Sequence, residues 1–300
     1  MKLFGKLRKR SSQDEEATKE IPTRPLQVEE QQAPSQNPAL PLEPPQLISG
    51  CAQSVGQQRD HNEDALFSMT SMITGDHAAL PFGIYLVADG MGGHQHGERA
   101  SETAVRSMAE YLISRLYLPF LDPKPTNPQE SIQEIMQIGV QGAQKQIIEQ
   151  VPGGGTTLTA ALVIGEQVTI AHVGDSRAYL IHPDGHLEAL TRDHSLVKRL
   201  VELGQITDDE AAVHPQRNVL YRALGQGEPF DADIYTLPLP SGSSLLLCSD
   251  GLWGVVPENE MQGIMLAASS PHEACQALVQ AANDAGGPDN ITAVLVRLPG

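Results

Sequence analysis

From about Leu47 onward this chain is built of short apolar runs, four to eight residues long, each closed by Gly, Asp, Pro or Ser. The clearest are "FGIYLVADG", "TLTAALVIG", "QVTIAHVGD", "SRAYLIHPDGHLEAL", "SSLLLCSDG" and "NITAVLVRL". They are β-branched or alternating, and they predict strands. Pro183-Asp184-Gly185, between "AYLIH" and "HLEAL", predicts a hairpin turn, because Asp and Gly accept positive φ.

Helical periodicity occurs in four places. Over 97–117 a stripe is formed by Ala100, Thr103, Ala104, Ser107, Met108, Tyr111 and Leu112. Over 128–150 Ile132, Ile135, Met136, Gly139, Val140, Ala143 and Ile147 repeat at three and four. The last two helices are predicted at 258–268 and 271–285, the latter opened by Pro271 with Ser269 and Ser270 as capping candidates. The helices come in two pairs, and most strands are joined by short turns. This predicts an α+β fold of antiparallel sheets covered by helices, rather than alternating βαβ units.

Residues 1–46 are different material. They hold seven of the 22 prolines, many Gln and Glu, and one aromatic residue, Phe4. That composition predicts a disordered tail, with the folded domain spanning 47–300. Seven basic residues balance seven acidic ones in the tail, so the net charge of −17 falls wholly on 47–300. A chain this acidic is repelled by nucleic acid. No apolar run is long enough to span a bilayer, which takes about 18 residues or more. The start "MKLFGKLRKR" has no apolar core and is not a secretory signal. Its basic and apolar residues within 1–10 allow weak contact with an anionic membrane surface, but a solubilising basic tail is the preferred reading. Three widely spaced cysteines, Cys51, Cys248 and Cys275, are expected to be reduced thiols in a cytoplasmic protein. Cys248, inside an apolar run, is expected to be a core residue.

Four of the strand-like runs begin or end at an aspartate beside or near a glycine: Asp89, Asp175, Asp250 and, two residues after Gly287, Asp289. A fifth acidic cluster, "RDHNEDAL", holds Glu63 and Asp64. Singly, each Asp-Gly pair reads as a turn. Together they call for neutralisation, because clustered carboxylates are costly without a cation. An all-oxygen set suits a hard divalent ion, Mg2+ or Mn2+. The rival chemistries are weaker. His94 and His96 beside Asp89 suggest zinc, but no downstream His and Cys stand at matching spacing. "GDSRA", with Ser176, lacks the Gly-x-Ser-x-Gly elbow. "PGGGTT" lacks the Gly-Lys-Ser/Thr of a phosphate loop and reads as a turn opening a strand.

In order, "RDHNEDA", "VADGMGGH", "GGTTLTAALV", "AHVGDSRAYL", "LTRDHSLV", "HPQRNVLYRALG", "CSDGLW" and "GGPDNITAVLV" resemble the metal-dependent protein Ser/Thr phosphatases of the 2C type, in their bacterial form. The resemblance covers about residues 50–298. It implies a four-layer αββα sandwich, two antiparallel sheets flanked by helix pairs, with a flap over about 195–219 near the active site. It implies that Asp89 bridges two metal ions and that Gly90 offers its carbonyl to the second. Asp250 and Asp289 would complete the first ion's shell, and Glu63 would act near the second. Asp175 with Asp250 would hold a third, weaker ion. Arg59, four residues before Glu63, would bind phosphate.

Under that resemblance, a water on the two ions becomes hydroxide near neutral pH, its pKa falling toward about 7. It would attack phosphorus directly, with Arg59 forking onto the phosphoryl oxygens. The leaving alkoxide needs a proton. Eukaryotic members carry a histidine directly after the Asp-Gly pair. Here that position is Met91, and the donor is left as His94 or a metal-bound water. The implied activity is hydrolysis of phosphoserine and phosphothreonine in proteins, opposing a Ser/Thr kinase. The alternative is a catalytically silent scaffold on the same fold, which the complete set of Asp89, Asp250, Asp289 and Arg59 disfavours.

Overall fold

The structure is a computed structural model and describes residues 46–75, 78–92, 95–122, 130–227 and 230–298. Two antiparallel sheets dominate it. One runs in the order β1 (Ile48–Ser54), β11 (Ile291–Arg297), β10 (Ser244–Cys248), β7 (Arg177–Ile181), β8 (Leu187–Ala189). The other runs β2 (Asp64–Gly75), β3 (Ala78–Met91), β5 (Leu158–Ile164), β6 (Gln167–Val173), β9 (Asp233–Pro238), with the short β4 (Gly155–Thr156) paired to the end of β3. The six quoted runs all fall on strands. The turn at Pro183–Gly185 joins β7 to β8, with Gly185 at φ 88° and its N–H donating to the His182 carbonyl.

Helix α1 (Gln95–Leu112) continues through a π-helical turn (Ile113–Tyr117) into the short α2 (Leu118–Phe120). Helix α3 spans Ile132–Gln150, later than the periodicity alone suggests. Its start is set by a reciprocal cap: Ser131 accepts from the Glu134 N–H, and Glu134 accepts from the Ser131 N–H. Helices α4 (Leu196–Glu202) and α5 (Asp208–Ala212) sit in one excursion, and α6 (Asp250–Trp253) follows β10 directly. Helices α7 (Glu258–Ala267) and α8 (Pro271–Asp284) lie where expected, and Ser270 caps α8 through the Glu273 N–H.

Three apolar layers separate four layers of structure. Between the sheets, Tyr85, Val87, Ala161 and Ile170 meet Ala178, Leu180, Leu247 and Val294. Outside one sheet, Ile84, Leu86 and Leu162 cluster with Met108, Leu112, Ile135 and Ile147 of α1 and α3. Outside the other, Tyr179, Leu246 and Leu295 cluster with Met261, Met265, Leu278 and Ala282 of α7 and α8. The central strands are covered on both faces, which explains their unbroken apolar runs. The thiols behave as expected. The three cysteines are free, and burial pushes Cys248 up to about 12. Among the described residues no helix is long and apolar enough to cross a membrane.

Candidate metal centre

The carboxylates gather because antiparallel strands bring opposite chain ends to one edge. Asp64 opens β2 and lies directly across from Asp89 near the end of β3. Asp250 follows β10, and Asp289 precedes β11. Asp175 occupies the turn by which the chain leaves β6 in one sheet for β7 in the other.

The backbone of Asp89 is fully engaged. Its N–H donates to Thr157 Oγ1 at 2.9 Å, and its carbonyl accepts from the Thr157 N–H at 2.9 Å and Thr156 Oγ1 at 2.8 Å. The strand end that carries the carboxyl is thereby fixed in place, close enough to Asp250 for the two carboxyls to perturb each other. Asp64 is buried, with Oδ2 accepting from Ser249 Oγ at 2.7 Å and Thr292 Oγ1 at 2.6 Å. Its Oδ1, and Oδ1 of Asp250, are buried oxygens with no hydrogen-bond partner.

The electrostatic consequence is large. Burial first, and then neighbouring carboxylates, raise Asp64 to about 7 and Asp250 to about 6. The same causes hold Asp89 and Asp175 well above the ordinary carboxylate range. Asp89 and Asp250 keep partial contact with solvent, so the cluster is not sealed in the core. Unpartnered carboxylate oxygens in such a cluster demand protons or cations. The donor set is all oxygen, which matches a hard divalent ion. Among the described residues no three His, Cys, Asp or Glu side chains close on one point as a ready cage. That spread suits ions held by one or two carboxylates each that retain part of their water shell. Zinc chemistry finds no such cage either, and His94 lies outside the described residues.

Glycines make the approach tight. A Cβ on Gly90 would collide with the backbone carbonyls of Gly97 and Glu63, and a Cβ on Gly97 would collide with the Glu63 carboxylate. The Glu63 carbonyl accepts from the Gly90 N–H at 3.1 Å and Ser101 Oγ at 2.6 Å, holding Glu63 beside the end of β3. Arg59, half exposed, donates from Nη2 to Asp289 Oδ2 at 2.6 Å.

The excursion of α4 and α5 leaves and returns at one place. Ser195 and Leu220 bridge, and Leu224 exchanges two backbone hydrogen bonds with Thr156 (2.8 and 3.0 Å), the residue that holds the Asp89 carbonyl. Trp253 Nε1 donates to the Asp175 carbonyl at 2.9 Å, with the Arg177 guanidinium 3.6 Å above its ring. Ser176 is wholly buried against Thr159 Oγ1, in no position to act as a nucleophile.

Sequence reasoning assigned no role to Asp64, nor to the Ser249 and Thr292 hydroxyls that hold its carboxylate, nor to the Thr156 and Thr157 hydroxyls that hold the Asp89 backbone. The signal for Asp64 was present in the doublet Glu63-Asp64. The hydroxyl residues read as ordinary strand threonines and turn serines. "PGGGTT" does open a strand, but its threonines also anchor Asp89.

Comparison with known proteins agrees with this geometry. The sequence profile of the family "Protein phosphatase 2C" matches residues 53–295. The serine/threonine phosphatase stp of Listeria innocua is 40% identical over 242 residues, covering 81% of this chain and 92% of that protein. The crystal structure of the Mycobacterium tuberculosis serine/threonine phosphatase PstP matches with TM-score 0.69 at 32% identity, covering 85% of this chain and all of that one (100%). The catalytic domain of a PstP in complex with two manganese ions matches with TM-score 0.68 at 30% identity, covering 85% of this chain and 99% of that one. By sequence and by fold, this chain belongs to the protein phosphatase 2C family.

Proposed function

We propose that the chain is a metal-dependent protein phosphatase that hydrolyses phosphoserine and phosphothreonine, opposing a Ser/Thr kinase in the cytoplasm. The observation that carries the reading is the cluster of Asp64, Asp89, Asp175 and Asp250 with two unpartnered buried oxygens, beside the Arg59–Asp289 pair. Asp89, Asp250 and Asp289, with the Gly90 carbonyl and Glu63, would hold two Mn2+ or Mg2+ ions, and Asp175 with Asp250 a third. Bound, such ions supply an acidified water and neutralise phosphoryl charge.

The chain's own groups do the rest. Arg59 forks onto two phosphoryl oxygens, and Asp289 aims its guanidinium. Thr156 and Thr157 hold the Asp89 backbone, so the point from which its carboxyl projects is set before substrate arrives. Asp64 is oriented by Ser249 and Thr292 and presents its remaining oxygen to the cluster. The leaving alkoxide takes its proton from His94 or from water. The excursion over 195–219 serves as the flap beside the phosphoprotein, since the chain that leaves it pairs with Thr156 through Leu224.

The test is release of phosphate from a phosphothreonine peptide. It is expected to require Mn2+ or Mg2+, and to be abolished by EDTA and by Asp250→Asn. No turnover in saturating Mn2+ would favour the silent scaffold instead.

A further inference from the structure

We infer that Asn290 is a positioning residue for Arg59, setting the loop that carries it against the bound phosphoryl group; this rests on the reading of Arg59 as the phosphate-binding residue. The loop runs from Val55 to Glu63, between β1 in one sheet and β2 in the other, so neither strand dictates its path. Val55, Gln57, Gln58, Arg59, Asp60 and His61 are exposed, and little apolar packing holds them.

The turn before β11 anchors the loop. The Gly287 carbonyl accepts from the N–H groups of Gln57 and Gln58 at 2.7 and 3.2 Å. Asn290, only 4% exposed, does more. Its Oδ1 accepts from the Glu63 N–H at 2.8 Å, and its Nδ2 donates to the carbonyls of Val55 at 2.8 Å and His61 at 2.7 Å. One amide thus ties together the start, the late part and the end of the loop. The preceding residue, Asp289, holds the Arg59 side chain of that same loop and accepts from the Asn290 N–H at 2.8 Å.

Removing the Asn290 side chain strips three part-buried backbone groups of the loop of their partners, and the loop must shift toward water to satisfy them. The loop then loosens while the sandwich stays folded. A guanidinium on a loosened loop binds phosphate less well, which appears in KM.

The experiment uses the full chain in saturating Mn2+ with a phosphothreonine peptide, and inorganic phosphate as a competing inhibitor. The variants are Arg59→Ala, Asn290→Ala, Asn290→Ser and the Arg59→Ala/Asn290→Ala double. Asn290→Ala is expected to raise KM and the phosphate inhibition constant together by about tenfold, with kcat within about threefold of the parent. The double variant is expected to show a KM within about twofold of Arg59→Ala alone, since both changes remove one interaction. Asn290→Ser, whose hydroxyl cannot span three groups, is expected to move KM the same way and serves if Asn290→Ala does not fold. If Arg59→Ala raises KM but the Asn290 variants lower only kcat, or their effects multiply with that of Arg59→Ala, the inference is overturned. If Arg59→Ala leaves KM unchanged, it is the reading of Arg59 that fails, and the positioning role fails with it.

Discussion

Asp64 shows how a single carboxylate can cost stability and serve chemistry. One oxygen is satisfied by two hydroxyls and the other by none. Its folded-state pKa is raised above the unfolded value, to about 7. The stability linked to it is therefore fully present below the unfolded pKa of about 4 and is lost as pH rises through about 7. Asp64→Asn keeps an acceptor for Ser249 and Thr292 and removes the charge. In EDTA at pH 8 the variant is expected to be more stable than the parent by about 1–3 kcal/mol, and the gap should close toward pH 5. Thermal melts of both proteins across pH 5–8 would show it. A gap independent of pH would mean that Asp64 is not the titrating group. In Mn2+ the same substitution should lower turnover, because the oxygen offered to the cluster is gone. At this scale the sequence displayed Asp89, Asp175 and Asp250 plainly, each beside a glycine, and Asp289 two residues after one. Asp64 was legible only as the second half of an acidic doublet. Its partners lie 185 and 228 residues away in the chain, where no local pattern reaches.

Among the elements, the strands missed in the sequence share a position. β1, β2 and β9, which no quoted run contains, are all outer strands of their sheets. Their burial is intermittent, with Gly50 alone buried along β1, whereas β5, β10 and β11 are buried almost throughout. Edge strands cover less apolar surface, so their residues carry a weaker signal. β1 is nevertheless tightly placed. A Cβ on Gly50 would strike the backbone of Pro271 and His272 at the start of α8, and Cys275 Sγ donates to the Gly50 carbonyl at 3.3 Å. Backbone cannot yield as a side-chain tip does. Gly50→Ala is expected to cost about 1–3 kcal/mol by overpacking, read as a lower urea midpoint with unchanged slope. An unchanged midpoint would show that α8 is free to slide. The start of α8 was legible, since Ser270 capping through Glu273 is a local arrangement, whereas the equally local Ser131–Glu134 cap was not read and α3 begins at Ile132 instead of 128.

Across the whole molecule, the acidity is unevenly placed. Residues 47–300 carry the entire net charge of −17, and five aspartates of that excess meet at one edge of the sandwich. The tail before it is electrically balanced, and residues 1–45, with their suggested membrane contact, lie outside the described residues. The family match begins only at residue 53. Deleting 1–46 is therefore expected to leave kcat/KM on a short phosphopeptide within about twofold, a change under about 0.5 kcal/mol. A tenfold loss would make the tail part of the catalytic fold. Local chemistry in the sequence alone determined the central strands, the helix pairs, the cap of α8 and the aspartate-bearing turns, because periodicity and turn preference act over a few residues. The tertiary structure alone decided which carboxylates meet, which hydroxyls hold them, and that Asn290 ties down the loop of Arg59. Those contacts join the two sheets, and they exist only once apolar burial has brought the sheets face to face.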